Sequence, residues 1–215
     1  MAETRQGDLD GRVDHESLGG SLHEQGNCAY QQGEWLAAAG CYEQAVAEAR
    51  QGDLQGRVHH ESLGRSLHQL GHFAYEQGQW LAAAGWYEQA VAETSQGDLH
   101  GRVDHESLGI SLHGLGNCAF QQKAWSAAAG WFEQAVAEAR QGDLHGRVDH
   151  ASLGRSLHRL GQCAFRQGQW SAAAGWCEQA VAEKRQGDIF GRVDQSSIVI
   201  SEKSLALCRK KMGLV

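Results

Sequence analysis

The sequence predicts an all-α fold built from stacked antiparallel helix hairpins. Three observations predict it: a tandem repeat of 45 residues, helical spacing of the apolar residues within each repeat, and 28 glycines without one proline. A β-rich fold of this size normally uses proline in some of its turns. Helices joined by glycine-bearing turns therefore explain the glycine and proline usage better than strands do.

The repeat is marked by a short string that returns at a constant interval. QGDL begins at Gln6, Gln51, Gln96 and Gln141, and QGDI begins at Gln186, so the period is 45 residues. The second and fourth units are identical at 33 of these 45 positions. The predicted organisation is a remnant of a repeat join at 1–5, full units at 6–50, 51–95, 96–140 and 141–185, and a C-terminal capping helix at 186–215.

Each unit is predicted to contain two helices. In the second unit the first helix is expected over about 53–77, capped at its start by Asp53 and ended by Gly78. Its apolar positions recur at steps of three to five residues, which is a helical stripe: Val58, Leu63, Leu67, Leu70 and Ala74. The second helix is expected over about 79–94. Because one short hairpin cannot bury its apolar face alone, neighbouring units must stack.

The fifth unit departs from this pattern as a terminal cap would. It contains only a first helix, and Glu202 stands where the fourth unit has the core leucine Leu157. Basic residues follow at Lys203 and over 209–211. A polar outer face of this kind is expected of the last element in a repeat array.

The motif positions of the units resemble those of the tetratricopeptide repeat family. In the second unit they are Leu70, Gly71, Ala74, Gly78, Trp80, Ala83, Tyr87 and Ala90, and the pattern returns in register in the other three full units. The resemblance implies a right-handed superhelical solenoid whose first helices line a concave groove. It also implies a role as a scaffold or adaptor that binds a peptide or helix of a partner protein in that groove.

Two departures from the family pattern carry structural expectations. The usual unit has about 34 residues, and the eleven extra residues are expected mainly to lengthen the first helix and its approach, in phase with the apolar stripe. Such longer units with Gly-Asp at the join resemble those of cell-polarity adaptors and bacterial regulatory proteins. Lys123 replaces the glycine between the two helices of the third unit, which predicts the most strained of the interhelix turns.

The resemblance also assigns the groove positions, which lie at fixed offsets around each Leu-Gly pair. The predicted peptide-binding residues are His23, Asn27, Tyr30, Arg65, His68, His72, Tyr75, His113, Asn117, Phe120, Arg155, His158, Gln162 and Phe165. Imidazole, amide and aromatic groups of this kind suit an extended peptide, through hydrogen bonds to its backbone and stacking on its side chains. A lysine-rich clamp for an acidic C-terminus is not predicted, because histidines occupy its positions.

Alternative roles remain open for several of these groups. The histidines at 23, 68, 113 and 158 are expected either to contact a ligand, making affinity change between about pH 5.5 and 7.5, or to hydrogen-bond a neighbouring helix. A second series, His15, His60, His105 and His150, is interpreted as structural. The tryptophans are expected to lie in the core or to cover helices. Glu88, Glu93 and their copies are expected on a solvated outer face.

No motif indicates catalysis, a cofactor or a metal. The dinucleotide fingerprint, the phosphate-loop lysine motif and the nucleophile elbow are all missing from the sequence. His68 and His72 have metal-ligand spacing, but the other units do not repeat the pair. The sequence therefore predicts neither an enzyme nor a cofactor-binding protein. The six cysteines, none in a CxxC pair, are interpreted as reduced thiols.

Composition limits the partners. The net charge of -7 disfavours nucleic acid and anionic membranes, which both attract basic surfaces. No apolar run is long enough for a membrane span, and residues 1–6 lack the apolar stretch of a signal peptide, so a cytoplasmic location is expected. A protein or peptide is the predicted partner. The alternative is a structural or self-assembling array, which includes a possible homo-oligomer.

Overall fold

The computed structural model describes residues 13–214, and in this range it contains only helices and their connections. The helices are α1 His15–Gln31, α2 Trp35–Ala49, α3 His60–Glu76, α4 Trp80–Thr94, α5 His105–Gln121, α6 Trp125–Ala139, α7 His150–Arg166, α8 Trp170–Lys184 and α9 Gln195–Lys211. The predicted all-α helical repeat solenoid is thereby confirmed. The predicted remnant at 1–5 and the first QGDL string lie outside the described residues.

Consecutive helices pair as antiparallel hairpins joined by three-residue turns. Gly33, Gly78 and Gly168 occupy these turns with positive φ angles of 78°, 74° and 76°. Lys123 takes the same place in the third unit with φ of 62°, and within residues 13–214 it is the one non-glycine residue with positive φ. A side chain makes this left-handed conformation costly, so the predicted strain in the third turn is confirmed.

The segments between hairpins correct the prediction for the first helices. In the second unit the helix begins at His60 and not near Asp53. The Asp53 carboxylate instead closes a tight turn, where it accepts hydrogen bonds from the backbone N–H groups of Gln55 and Arg57 and from the Arg57 side chain. These bonds lower the pKa of Asp53 to about 2. The inserted residues therefore form a repeated turn and not an extension of the helical stripe.

The true helix starts lie at a different acidic position. Asp14, Asp104, Asp149 and Asp194 each precede a first helix and accept hydrogen bonds from backbone N–H groups of its first turn. In the second unit His59 holds this place and makes no side-chain cap. Val58, which the helical stripe was expected to include, lies in the connection but still packs on the core.

The chain divides after Val103 into two compact units. The core of the first is built from side chains such as Tyr42, Leu63 and Leu67, contributed by α2 and α3. The core of the second includes Phe132 and Leu157 from α6 and α7. Glycines of the first helices allow close approach of the second helices. A Cβ on Gly71 would come within 2.8 Å of the Tyr87 ring, so only glycine permits this helix approach.

The last helix packs by one face. Ile198 and Cys208 are buried, whereas Glu202 is half-buried and pairs with Arg185 at 2.9 Å. The basic residues of its last turn, Arg209, Lys210 and Lys211, are exposed. The same helix also exposes the apolar residues Val199, Ile200 and Leu207, so its surface is mixed and not wholly polar. The assignment of α9 as a cap stays a prediction.

Candidate protein-binding surface

All fourteen predicted site residues lie on the first helices of the hairpins, α1, α3, α5 and α7. Their surroundings differ strongly, because within each compact unit some of these residues contact the next first helix and others remain accessible. Contacts within each unit separate the predicted residues that hold helices together from those that remain available to a partner.

The histidines at 23, 113 and 158 bridge consecutive first helices. Their Nδ1 atoms lie 3.0, 2.9 and 3.1 Å from the hydroxyl oxygens of Ser66, Ser156 and Ser201. Each serine hydroxyl also donates to the carbonyl oxygen four residues earlier, so the histidine Nδ1–H is the donor in each bridge. The interhelix role that the sequence left open is therefore present at these three positions.

Burial favours the neutral form of three histidines in this series. Desolvation, followed by the nearby Lys184 and Arg159 charges, lowers the pKa of His158 to about 4. Desolvation likewise lowers the pKa of His68 to about 4 and lowers that of His23. With a pKa near 4, His68 and His158 would not make affinity change between pH 5.5 and 7.5. For His23 and His113 the expected change stays a prediction.

The second histidine series links the two helices of each hairpin. Nδ1 atoms of His15, His60, His105 and His150 lie 2.6 to 2.7 Å from carboxylate oxygens of Glu48, Glu93, Glu138 and Glu183. This matches the structural interpretation. It also shows that the expected solvated face was wrong for Glu93 and its copies, which are half-buried and paired, whereas Glu88 is exposed.

The asparagines have unequal environments. Tyr42 donates its hydroxyl hydrogen to Oδ1 of Asn27 at 2.8 Å, so this amide is held within its own hairpin. In the third unit Phe132 replaces the tyrosine, and Oδ1 of Asn117 is buried without a hydrogen-bond partner. The single hydroxyl that distinguishes tyrosine from phenylalanine explains this difference.

The aromatic residues of the predicted groove are held in place but remain partly exposed. Each packs against the first tryptophan of its hairpin in an edge-to-face arrangement. Ring centroids are separated by 4.9 Å for Tyr30–Trp35, Tyr75–Trp80 and Phe120–Trp125, and by 4.8 Å for Phe165–Trp170. The tryptophans thus cover the helix junctions, although Trp35 remains 51% exposed.

Three predicted residues, Phe120, Gln162 and Phe165, line a cavity of about 450 Å³ in the second compact unit. Arg159 lies over the Phe120 ring at 5.3 Å and donates to Oε1 of Gln162 at 2.9 Å. Arg166, also on the cavity wall, lies over the Trp125 ring at 5.7 Å. The cavity therefore presents aromatic surface, one amide and two guanidinium groups.

The two arginines were missing from the predicted site. The signal that could have found them is a change of residue type between units at equivalent positions. Arg166 corresponds to Glu76 in the second unit, and Arg159 corresponds to Gly114 in the third. Such variation on an otherwise constant framework is typical of surface positions.

The remaining predicted residues divide between the two compact units. In the first, Tyr30 lines a cavity of about 240 Å³ with Trp35 and Phe73, and the Tyr30 ring lies 5.9 Å from that of His72. Arg65 is exposed. In the second, His113 and Arg155 line a smaller cavity of about 70 Å³.

Within the described residues, no group of three or more histidine, cysteine and acidic side chains could hold a metal ion. The six cysteines are free thiols. No helix between residues 13 and 214 combines the length and the apolar character needed to cross a membrane.

Comparison with known proteins supports one family. A tetratricopeptide repeat model matches residues 111–143 and 155–188, in the third and fourth units and the joins that follow them. The first two units repeat the same pattern, which supports the tetratricopeptide repeat family for the whole array. No curated protein matches its sequence.

Several solved structures share the fold of this chain. BtubC (BKLC) from P. vanneervenii superposes with a TM-score of 0.75 at 19% identity, over 93% of this chain and 77% of that one. A Podosopora anserina structure of nearly identical TPR-like repeats gives 0.63 at 27% identity, over 90% and 86%. The MamA protein gives 0.62 at 14% identity, over 92% and 85%.

Proposed function

We propose that this array of tetratricopeptide-like repeats is an interaction scaffold that binds an extended segment of a partner protein on the first helices of its second compact unit. The observation that carries the proposal is the cavity of about 450 Å³ bordered by Phe120, Gln162 and Phe165. Repeats of this family generally mediate protein–protein interaction, and this fold is typically a non-catalytic scaffold. The cavity supplies the position at which this chain would do so.

The chemistry of the cavity suits a peptide. The Phe120 and Phe165 rings are fixed by their tryptophan neighbours, so stacking of a partner side chain on them would cost little additional conformational entropy. Gln162 and Arg159 hydrogen-bond each other, and together they can serve backbone carbonyl or carboxylate oxygens of the ligand. Aromatic and arginine side chains are the types enriched at binding hot spots.

The bridging histidines have an indirect role in this proposal. His158 contacts Ser201 through Nδ1, and Nε2 of the same ring lies 2.9 Å from the Gln162 side-chain nitrogen. His158 therefore orients the amide that faces the cavity. Of the predicted site residues in this unit, Gln162 and the two phenylalanines would make the direct contacts.

One side chain of α9 weighs against the alternative of a self-assembling array, although Val199, Ile200 and Leu207 of that helix expose apolar surface. Stacking further units on α9 would favour an apolar face like that of the earlier first helices, in which Leu157 is fully buried. Glu202 takes that place in α9 and pairs with Arg185. Burying this carboxylate against another chain would require it to lose water, which is unfavourable.

The test is selection of peptide ligands from a random display library, followed by fluorescence polarisation with each recovered peptide. The binding variant carries Phe120→Ala, Gln162→Ala and Phe165→Ala. Its matched control carries Gln134→Ala and Gln179→Ala, two exposed positions on the second helices α6 and α8. Circular dichroism compares the helical content of both with the wild type.

We expect peptides whose affinity falls at least about tenfold in the binding variant, as loss of one hot-spot contact implies, and stays unchanged in the control. Equal affinity for both variants would place binding elsewhere on the molecule. If no peptide is selected and light scattering shows mass that grows with protein concentration, the self-assembling array becomes the better hypothesis.

A further inference from the structure

A lysine fills the space between consecutive first helices in the fourth unit. Lys184, the last residue of α8, is only 5% exposed. Its Nζ donates to the carbonyl oxygen of Ser197 at 3.1 Å and to Oγ of Ser201 at 2.9 Å. The side chain passes directly over Gly154, where an added Cβ would come within 2.5 Å of the lysine Cγ. An ammonium group thus occupies a defined pocket made by a glycine and two serines.

The same place in the third unit is open. Ala139 corresponds to Lys184, and a cavity of about 70 Å³ lies beside it. Its lining includes Gly109, Ser152 and Ser156, the equivalents of Gly154, Ser197 and Ser201. This volume exceeds the roughly 15 Å³ that a single water needs. The acceptors that hold the ammonium group in the fourth unit are therefore present in the third, with space beside them.

The open cavity has additional negative charge. The carboxylates of Glu106 and Asp149 line it together with one guanidinium group, that of Arg155. Burial raises the pKa of Glu106. The neighbouring negative charges of Asp149, Asp104 and Asp143 raise it further, whereas the positive charge of Arg147 lowers it. In the fourth unit the residue equivalent to Glu106 is Ala151, so the carboxylate is missing where the lysine is present. The third unit offers an acidic pocket in which an incoming cation would be stabilised.

In the first unit a histidine lies beside the carboxylate that corresponds to Glu106. There, Nδ1 of His59 lies 3.7 Å from Oε1 of Glu16. Asp149 is the residue of the third-unit cavity that corresponds to His59. The first unit thus has a histidine beside this carboxylate, whereas the third-unit cavity has a second carboxylate.

We propose that the third-unit cavity binds a primary ammonium group, which enters past Ile110 and Arg155 and takes the place that the Lys184 ammonium holds in the fourth unit. Ser156 Oγ and the Ser152 carbonyl accept its hydrogen bonds, and Glu106 supplies the opposite charge. Ser156 Oγ already donates to the Ser152 carbonyl. The ammonium group would share that acceptor, as Lys184 shares the Ser197 carbonyl with Ser201 Oγ in the fourth unit. This site lies apart from the proposed peptide cavity and does not depend on it.

The probe is n-propylammonium, titrated into the full chain and followed by NMR, with n-propanol as the neutral analogue of equal size. We expect saturable shifts of Gly109, Ala139 and Ser156, and affinity at least about tenfold weaker for the alcohol, because charged hydrogen bonds to a carboxylate contribute about 1.5 kcal/mol or more. Equal response to the amine and the alcohol, or shifts spread over exposed acidic residues, would overturn the proposal.

Two variants localise the effect. Glu106→Gln removes the charge with little change of shape and should weaken amine binding about tenfold. Ala139→Lys should place the chain's own ammonium group in the cavity and abolish amine binding. Its control is Ala137→Lys, which adds the same charge on the exposed face of α6 and should leave binding intact. If Ala139→Lys fails to fold, the Glu106→Gln titration still decides, and unchanged affinity there would refute the site.

The ammonium group can come from a free amine or from a lysine side chain, and a second ligand separates these sources. N-acetyl-lysine-N-methylamide carries the same group on a peptide backbone. If both ligands bind, the cavity accepts a lysine of another protein. If only n-propylammonium binds, the backbone cannot pass the mouth and the natural ligand is a small amine. Either result supports the ammonium site, and binding of neither ligand refutes it.

Discussion

The third and fourth repeat units have the same helical framework and differ in what their cores contain. Both have a first helix of 17 residues and a second of 15. Inside this framework Phe132 corresponds to Cys177, and Ala139 corresponds to Lys184. The smaller Cys177 lines the cavity of about 450 Å³, while the larger Lys184 fills the place that is open in the third unit. A few side chains therefore decide where each hairpin presents a cavity.

The largest expected difference between the units follows from the aromatic position. Phe132 is fully buried beneath Gly116, and Phe132→Ala should reduce the free energy of unfolding by about 3–5 kcal/mol. Cys177→Ala removes one sulfur atom beside an existing cavity and should cost about 1 kcal/mol. Urea unfolding followed by circular dichroism measures both. Equal losses would show that the two positions contribute alike to the core.

The buried histidine of the fourth unit should make stability depend on pH. Because the pKa of His158 is lowered to about 4 in the folded state, the unfolded chain binds more protons between pH 6.5 and 4. The stabilisation from the neutral histidine is therefore complete above pH 6.5 and is lost as pH falls toward 4, by about 2–3 kcal/mol.

Urea unfolding at intervals from pH 7 to pH 4 tests this prediction with His158→Gln beside the wild type. The variant should lose less stability over the interval, because it lacks the group that becomes protonated on unfolding. The uncharged and exposed change Gln179→Ala serves as the control and should follow the wild type. A variant profile parallel to the wild type would show that His158 does not carry the effect.

The unpaired amide of the third unit offers a gain of stability. Phe132→Tyr would restore the hydroxyl that Tyr42 supplies to Asn27 in the first unit, here directed to the buried Oδ1 of Asn117. We expect the free energy of unfolding of this variant to exceed that of the wild type by about 0.5–1.5 kcal/mol. Asn117→Ala in the tyrosine background should remove that gain. Destabilisation by Phe132→Tyr in thermal or urea unfolding would mean that the site lacks room for the hydroxyl.

The smallest expected effect lies in the turn. Lys123→Gly should stabilise the third unit by up to about 1 kcal/mol, because glycine adopts the positive φ of 62° without steric cost. The reciprocal Gly168→Lys should destabilise the fourth unit by a similar amount, since Gly168 has φ of 76°. Thermal unfolding of both variants checks the pair. A change of the same sign in both would contradict the role of backbone strain.

Helix limits were predicted well where they depend on residues a few positions apart in the sequence, and poorly where a competing contact decides them. The second helix of the second unit was predicted within one residue of its observed start at Trp80, because Gly78 and the small apolar residues after it act over a few positions. The start of the first helix was wrong, since Asp53 resembles a helix cap in sequence. Its carboxylate is instead engaged by Arg57, four residues later, and this competing turn ends before the helix begins.

The sequence by itself determined the all-α repeat fold, because repetition, helical periodicity and glycine placement can be read along the chain without knowledge of tertiary contacts. Only the tertiary structure decided which predicted site residues are available to a ligand. His158 and Ser201 are 43 positions apart and yet form one hydrogen bond. The cavity beside Phe165 likewise depends on Cys177 and Cys208 from two other helices. Such contacts arise from packing between helices. A sequence pattern does not give the distance between residues that lie on different helices.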